Sequence, residues 1–573
     1  MTDRKIGVYI CHCGGNISDY VDVERVRAAV EGEDGVVVAK TAMFTCSDAT
    51  QQEMVEDIRQ NGLDGLVVAS CSPKLHLFTF RDVARRAGLN PYQYTQVNIR
   101  EQCSWAHTDD RDGATGKAVG LIRAGIARTL LSDPLSPVRI DTVPRVLVVG
   151  AGIAGLRAAL GLADIGIPVY IVEKSASVGG RVATFGQMYP HEKNGGKIIE
   201  QLTAEIARRD NITIYTGAEV VEKTGSVGNF NVNVRVGGES VTLNVGSVIV
   251  ATGADTYRPE NGEFGYGTGG VLTLPEFKEL LDRSGGRPEL NGREIKNVVY
   301  IYCVGSRQQP GEGHRTYCSR YCCNAAVHAS LTALEKNPEI NQYHLFRDMR
   351  TYGKYELLYN QAAEKGSLFL KYDENEPPRV EKGNGEKLRV MVKDLLTYGE
   401  EVEIEADAVV LVTGMTPREN SGLVDVFKLP LGKDGFFNEI HPKLRPVETV
   451  VDGVYICGAC QGPKNSSESV ASALAAVTQS AAILKKGYVE LDPLMAEVNS
   501  DLCRWCGVCA EACPYGAIEK ISCGEGEVAL VKQALCKGCG GCVPVCPGEA
   551  IDLKGYTDQQ IRSMIDALAK ENG

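Results

Sequence analysis

No stretch of this 573-residue chain approaches the eighteen or so consecutive apolar residues that a membrane-spanning helix needs. The opening residues, MTDRKIGVYICHCGGN, lack a long apolar segment followed by a small-residue cleavage site, so an export leader is not expected and a cytoplasmic location is. Basic residues have no excess either. With 61 Lys and Arg against 73 Asp and Glu the net charge is −12, so no global field draws nucleic acid or anionic lipid, and protein or small-molecule partners are expected instead. What is abundant is cysteine, 20 in all, and in a reducing compartment such a count points to metal ligation or catalysis before disulfides.

At roughly 150 residues per domain the length asks for three or four domains, and 43% hydrophobic and 23% charged residues fit an ordinary α/β protein. Apolar runs at Ile6 to Ile10, Gly35 to Val38, Gly65 to Ala69 and Tyr94 to Val97 alternate with segments of helical length, which predicts βαβ units around a parallel sheet over residues 1–133. Pro134, Pro137 and Pro144 oppose helix and central strand alike, so residues 134–144 read as a linker. A longer α/β region follows over 145–492, with strand-like runs at Val146 to Val149, Ser247 to Val250, Val298 to Tyr302, Ala408 to Val412 and Val454 to Ile456. Residues 493–556 are short-textured and cysteine-rich. In the tail, 557–573, the segment Thr557 to Lys570 carries Ile561, Met564, Ile565 and Leu568 at helical spacing, which predicts an amphipathic helix packed on its own domain.

Cys503, Cys506, Cys509 and Cys513-Pro514 form a C-x2-C-x2-C-x3-C-P run, and Cys536, Cys539, Cys542 and Cys546-Pro547 repeat it. This duplicated run is the signature of a two-cluster ferredoxin, in which the fourth cysteine of each run ligates the other cube. The expected sets are therefore Cys503, Cys506, Cys509 and Cys546 for one [4Fe-4S] cluster, and Cys536, Cys539, Cys542 and Cys513 for the second. Tetrahedral zinc would explain neither the prolines nor the duplication. Cys523, between the runs, reads as a packed thiol.

Val146 to Val149, the turn Gly150-Ala-Gly152-Ile-Ala154-Gly155 and Glu173 after the next apolar run make strand, glycine turn, helix and acid. The glycines admit a pyrophosphate to the helix N-terminus and the carboxylate can accept from ribose hydroxyls, in FAD and NAD sites alike. Gly179-Gly180-Arg181, Ala251-Thr252-Gly253 and the Cys457-Gly458 turn before Glu468 to Lys486 resemble the flavoprotein disulfide reductase and thioredoxin reductase superfamily, where such elements surround FAD. The second glycine turn, which serves NAD(P)H in that superfamily, is missing after the run ending Tyr302-Cys303-Val-Gly305. In its place come Cys303, Cys318, Cys322 and Cys323, which read as an irregular [4Fe-4S] set beside the flavin, with a redox disulfide or two buried thiols as the alternative. Cys457 and Cys460 are either a redox dithiol or packed thiols.

In the first domain Cys11 and Cys13 follow the first strand, Cys46 the second, Cys71 the third and Cys103 the fourth, all at the end of the sheet where crevices form. One cluster from Cys46, Cys71, Cys103 and either Cys11 or Cys13 is expected.

The blocks Cys11-His-Cys13-Gly, Thr45-Cys46-Ser-Asp48, Ala69-Ser-Cys71-Ser-Pro73, Arg100-Glu-Gln-Cys103-Ser-Trp105, Tyr317-Cys-Ser-Arg-Tyr-Cys322-Cys323, Arg347-Asp-Met-Arg350 and Cys460-Gln-Gly-Pro-Lys464 resemble the A-type polypeptide of heterodisulfide reductase from residue 5 to residue 556. The resemblance implies a doubly wound N-terminal domain, a thioredoxin-reductase-like FAD domain and a C-terminal two-cluster ferredoxin domain. It also implies a flavoprotein that exchanges electrons with B-type and C-type subunits, with ferredoxin, and with a hydrogenase-type or other electron-input subunit. The assembly would be a hetero-oligomer that can pair through this polypeptide.

Candidate FAD contacts are Gly150, Gly152, Ala154, Gly155, Glu173, Lys174, Gly180, Arg181, Val221, Ala251, Thr252, Gly253, Gly414, Gly458 and Lys464, and four [4Fe-4S] clusters are expected in all. The chain departs from the family twice. Longer members carry a ferredoxin-like insertion where Val221 to Ser247 here is a short strand-rich connection. Members that split electron pairs have a lysine five residues after the adjacent cysteine pair, where this chain has His328, a residue able to donate to a flavin but charged only conditionally near neutral pH. Two other readings remain: a non-bifurcating electron carrier, and an NAD(P)H-dependent flavin reductase related to the glutamate synthase small subunit.

Overall fold

The computed structural model describes residues 4–189, 193–524 and 526–569. The chain forms two compact units, one made of residues 1–140 with 490–573 and the other of 141–489.

In the first unit the expected strands are present as β1 (Ile6–Cys11), β2 (Val36–Ala42), β3 (Gly65–Ser70) and β4 (Tyr94–Asn98). They form one parallel sheet in the order β2-β1-β3-β4. β1 and β3 are central and buried throughout, which is why they read as unbroken apolar runs, whereas β2 at the edge is half-buried. Each fully buried Ile or Val contributes about 1.5–3 kcal/mol relative to exposure.

The crossover helices are α1 (Val23–Val30), α2 (Asp48–Asn61), α3 (Pro73–Ala87) and α4 (Arg111–Leu130). Asp22, Ser47, Ser72 and Asp110 cap their N-termini by accepting backbone N–H groups. The order places a topological switch point between β1 and β3, so the loops carrying Cys11, Cys13 and Cys71 open into one crevice.

The C-terminal segment belongs to the same unit. Arg128 of α4 donates through Nε and Nη2 to Gly555 O at 3.1 and 2.7 Å and lies 4.0 Å over the Tyr556 ring. Burial lowers the pKa of this guanidinium. Arg81 pairs with Asp492 at 2.9 Å. In the ferredoxin-like part the strands Ala496–Val498 and Ile551–Leu553 pair antiparallel beside the hairpin Ile518–Cys523 and Gly526–Val531.

The terminal helix spans Asp558–Ala569, and Lys570 lies outside the described residues. Its packing face is not the expected one. Gln560 is buried and donates to Leu131 O at 2.9 Å, while Ile561, Ile565 and Leu568 stay exposed. Spacing alone identifies an amphipathic helix but not which side meets α4. Cys523 is also exposed, not packed, because it ends a hairpin strand paired to Gly526 near the tip.

The second unit contains two five-stranded parallel sheets. The first runs Ile212–Tyr215, Val169–Val172, Val146–Val149, Ser247–Val250, Val454–Ile456. The second runs Val271–Thr273, Ala408–Thr413, Asn297–Val304, Asn341–Phe346, Leu368–Lys371. Each has a three-stranded antiparallel companion: Ala218–Ser226, Asn229–Val236 and Glu239–Val245 for one, and Arg379–Lys382, Leu388–Asp394 and Glu400–Ala406 for the other. The connection from Val221 to Ser247 is thus a tight meander with no room for an inserted domain. Among the described residues no helix is long and apolar enough to cross a membrane.

Arg128→Ala is expected to lower the stability of the first unit by about 2 kcal/mol, since it removes two charge-assisted hydrogen bonds to the partly buried Gly555 carbonyl. Denaturant midpoints of the full chain measure this, and an unchanged midpoint would show that Arg128 holds nothing together.

Candidate functional site

The glycine turn of the first sheet in the second unit is built for close approach. Gly150 has a φ of 105°, and a Cβ on Gly155 would stand 1.9 Å from Gly150 O, so only glycine lets the helix Ile153–Asp164 begin there. Above Gly152, by contrast, a Cβ would meet nothing within 4 Å, which leaves the helix N-terminus open to a phosphate.

Glu173 is buried, its two oxygens accepting from Ala151 N–H at 2.7 Å and Ser175 N–H at 2.8 Å. Each carboxylate oxygen retains a lone pair for a ribose hydroxyl. Thr252 Oγ1 is buried beside this edge with no partner, which fits a polar ligand group. Gly180 and Arg181 start a short 3-10 turn, preceded by Gly179, which bridges to Gly152, and Ala154 lies under Gly458. Ala251 and Gly253 follow the strand Ser247–Val250, with Ala251 N–H bonded to Val149 O at 2.8 Å.

Four candidate contacts are less simply placed. Lys174 is 83% exposed and pairs with Glu219 at 2.8 Å. Val221 sits half out of its strand at a register shift between Val220 and Glu222. Gly414 belongs to the second sheet, where a Cβ would stand 2.5 Å from Ser319 Oγ. Lys464 is largely buried, donates to Gly458 O at 3.3 Å and Gln461 Oε1 at 2.8 Å, and has its pKa lowered by that burial. It stands just before the helix Ser466–Lys486, which Asn465 and Glu468 close with a capping box.

The matching turn of the second sheet is closed. A Cβ on Gly305 would stand 2.0 Å from the Tyr257 ring, whose hydroxyl donates to Glu263 at 2.8 Å. An aromatic side chain thus fills the place of approach that stays open above Gly152. Cys303, Cys318, Cys322 and Cys323 gather at this edge instead. Cys303 lies within electrostatic reach of Cys323 and Cys318, and its thiol is pushed up to about 11, chiefly by burial.

The Cys322 thiol donates to Cys323, which raises the pKa of the first and lowers that of the second. The Arg350 backbone N–H and the Arg307 and Arg350 charges further favour the Cys323 thiolate. Cys303 has a φ of 65° and Arg320, bonded through its N–H to Cys318 Sγ at 3.3 Å, one of 54°. Side chains other than glycine rarely hold such backbone unless the surroundings impose it. Asn324, in the first turn of the helix Cys322–Lys336, is fully buried with both amide atoms unpartnered, and Ser306 Oγ and Thr413 Oγ1 are likewise orphaned. Such groups fit a bound inorganic group better than an empty apolar core.

His328, two turns into that helix, is buried with Lys278 Nζ 3.4 Å from Nδ1 and the Tyr189 ring centroid at 5.9 Å. Cys457 and Cys460 are both wholly buried, unbridged, and held protonated by burial, with Cys460 Sγ donating to Cys457 O at 3.0 Å. They are packed thiols here.

In the ferredoxin-like part, Cys509 has Cys506 and Cys546 as electrostatic neighbours, and Cys542 has Cys536, Cys539 and Cys513. The fourth cysteine of each run therefore lies with the other run. Cys513, Cys536, Cys539 and Cys542 line one small cavity among Ala517, Ile518 and Val531. Backbone N–H groups of Ala529, Ala517 and Ala550 point at Cys503, Cys513 and Cys546 Sγ at 3.4, 3.4 and 3.3 Å, the donors a thiolate-held cluster needs.

In the first unit Cys46 and Cys71 each lie within electrostatic reach of Cys11 and Cys13. Thr45 N–H donates to Cys11 Sγ at 3.4 Å. Cys13 heads a left-handed turn at φ 55°. Cys103 is fully buried, its thiol raised to about 11 by burial, with Lys117 as its charged neighbour. The π-helical turn Arg100–Ser104 directs it into the core. Cys11 and Cys13 both stand near Cys46 and Cys71, and Cys103 packs in the same buried cluster as Cys11 and Cys13 without a thiol among its electrostatic neighbours.

Among the described residues no three His, Cys, Asp or Glu side chains stand close enough for a single metal ion; cubes hold their thiolates further apart. Sequence reasoning quoted Arg100 and Arg350 only within family blocks and did not name Arg307 or Asn324 as neighbours of the thiols. For Arg307 and Asn324 the signal was adjacency to Cys303 and Cys323.

The fold and these sites define an oxidoreductase of the flavin and iron-sulfur class. Residues 144–284 match the family described as pyridine nucleotide-disulphide oxidoreductase, and residues 496–519 the 4Fe-4S binding domain. One of the A-type iron-sulfur polypeptides of CoB--CoM heterodisulfide reductase in Methanopyrus kandleri is 36% identical, covering 91% of this chain and 92% of that one. The A-type polypeptide of the H(2):CoB-CoM heterodisulfide,ferredoxin reductase of Methanothermobacter thermautotrophicus is 36% identical over 657 aligned positions, 100% of this chain and 98% of the relative. Because this chain has only 573 residues, at least 84 of those positions have no counterpart in it. A solved thioredoxin reductase from T. acidophilum is 20% identical over 59% of this chain and 99% of its own, with a TM-score of 0.40. The chain belongs to the HdrA family, the A-type iron-sulfur flavoproteins of heterodisulfide reductase.

Gly155→Ala is expected to abolish retention of a flavin, because its methyl group would collide with Gly150 O. Visible absorbance of the purified chain reads this out, and flavin retained at wild-type stoichiometry would refute the cradle.

Proposed function

We propose that this chain is the FAD-bearing electron-transfer component of a heterodisulfide-reductase-like complex, working with B-type and C-type subunits, with ferredoxin and with an electron-input subunit. When bound, FAD exchanges electrons in pairs and each [4Fe-4S] cluster exchanges them singly, so the chain is a junction between the two modes.

The observation that carries this reading is the pairing of Cys513 with the second cysteine run around one cavity, in a chain that also holds a glycine cradle open to a dinucleotide. Gly150, Gly152 and Gly155 would hold the pyrophosphate, Glu173 the ribose, and Thr252 a further polar group of FAD. Three regions would hold clusters: Cys11, Cys13, Cys46 and Cys71; Cys303, Cys318, Cys322 and Cys323; and the crossed sets Cys503, Cys506, Cys509 with Cys546 and Cys536, Cys539, Cys542 with Cys513. The buried thiols must lose their protons on binding iron, and the surrounding N–H groups and guanidinium charges favour that loss.

No general acid or substrate pocket is needed for electron transfer. Closure of the Gly305 turn by Tyr257 argues against NAD(P)H as the direct donor. Electron bifurcation is a finer form of the same reading. The M. thermautotrophicus relative is named for both a heterodisulfide and ferredoxin. Where the family resemblance implies a lysine, His328 has the Lys278 amine 3.4 Å away, so a neighbouring helix brings an ammonium group to this place.

Anaerobic purification with its native partners tests the assignment: about sixteen irons per chain are expected, four per cube, with one FAD. Cys71→Ser and Cys46→Ser should each remove about four irons while leaving flavin, and Cys103→Ser should remove none. In the isolated chain NADH should leave the flavin oxidised. Stoichiometric bleaching by NADH would establish the reductase reading instead, and a flavin that stays oxidised while every cluster reduces would leave only a carrier.

A further inference from the structure

The N-terminal thiol set encloses a charged side chain that ligation does not require. Arg100 opens the π-helical turn after β4, with its side chain 14% exposed. Its Nη1–H donates to Cys13 Sγ at 3.6 Å. Nη2 pairs with Glu101 Oε1 at 2.7 Å, and Glu101 Oε2 accepts the N–H of Ser72, next to Cys71, at 3.0 Å. The guanidinium lies 4.5 Å over the Trp105 ring, and its Nε–H is buried with no partner. Glu101 and Trp105 thus clamp a fixed cation between the loops of Cys13 and Cys71, with one N–H group left to satisfy.

We propose that Arg100 tunes the N-terminal cluster: it donates to the Cys13 thiolate and, through Nε, to the inorganic core, so that the reduced cluster is favoured and this site becomes the better electron acceptor. The inference rests on the reading that Cys11, Cys13, Cys46 and Cys71 hold a cube. Reduction adds one electron and breaks no bond, so the more negative state gains most from a nearby cation and from N–H donors in a site of low dielectric. The electrostatic influence of Arg100 on Cys46 and Cys71, which favours their thiolates, is in keeping with this.

The test uses the full chain, reconstituted anaerobically and titrated with dithionite while electron paramagnetic resonance follows the reduced clusters. The N-terminal signal is the one missing from Cys71→Ser. Arg100→Gln should keep its iron and acid-labile sulfide, yet make that one cluster at least tenfold harder to reduce, a shift of about 59 mV for one electron. The other signals should not move, and Arg100→Lys should recover part of the shift.

Iron retained in Arg100→Gln with every midpoint unchanged would overturn the proposal. So would loss of the cluster's iron from both Arg100 variants, which would make the residue a structural clamp. If Cys71→Ser loses no iron, the cluster reading beneath the proposal fails, and that result is separate from the other two.

Discussion

All the proposed redox chemistry depends on thiolates being stable inside protein, and a buried thiolate is costly unless N–H groups and cations face it. The cysteines that gather here have such partners. Cys503, Cys513 and Cys546 accept backbone N–H groups, Cys318 accepts one from Arg320, and Cys13 accepts from the Arg100 guanidinium. At Cys457 and Cys103 desolvation outweighs the single lysine near each, and the thiols are held protonated.

Parallel sheets provide the second half of this arrangement. Every strand of a parallel sheet ends at the same edge, so residues distant in sequence meet there without a dedicated motif. The first unit brings Cys11, Cys46 and Cys71 together from three loops in this way. In the second unit one edge is kept open for a dinucleotide by Gly152, and the equivalent edge is closed by Tyr257 and lined with thiols. Two copies of one architecture therefore present edges of different chemistry, and the difference lies in a few loop residues.

Backbone strain follows the same map. Cys13, Cys303 and Arg320 all adopt the left-handed region beside thiol sets. The orphaned amide of Asn324 and the unpartnered hydroxyls of Ser306 and Thr413 cluster at the edge of the second sheet. Local discomfort of this kind is tolerated when surrounding structure and a bound group together compensate it.

Periodicity and spacing sufficed for the strands, the glycine turn with Glu173 and the duplicated cysteine run, because each is a local pattern: alternation, close backbone approach and ligand geometry act over a few residues. The expected crossing of Cys513 and Cys546 came from the duplicated two-cluster signature, since each joins the other run. Local pattern could not bring the thiols of Cys11, Cys13, Cys46 and Cys71 near one another, or say that Gln560 and not Ile561 faces α4. Those depend on which side of a turn or helix meets a neighbour far along the chain, and only the packed structure decides that. The same holds for Arg100, whose charge means nothing in sequence until Glu101 and Trp105 hold it over thiols from two other loops.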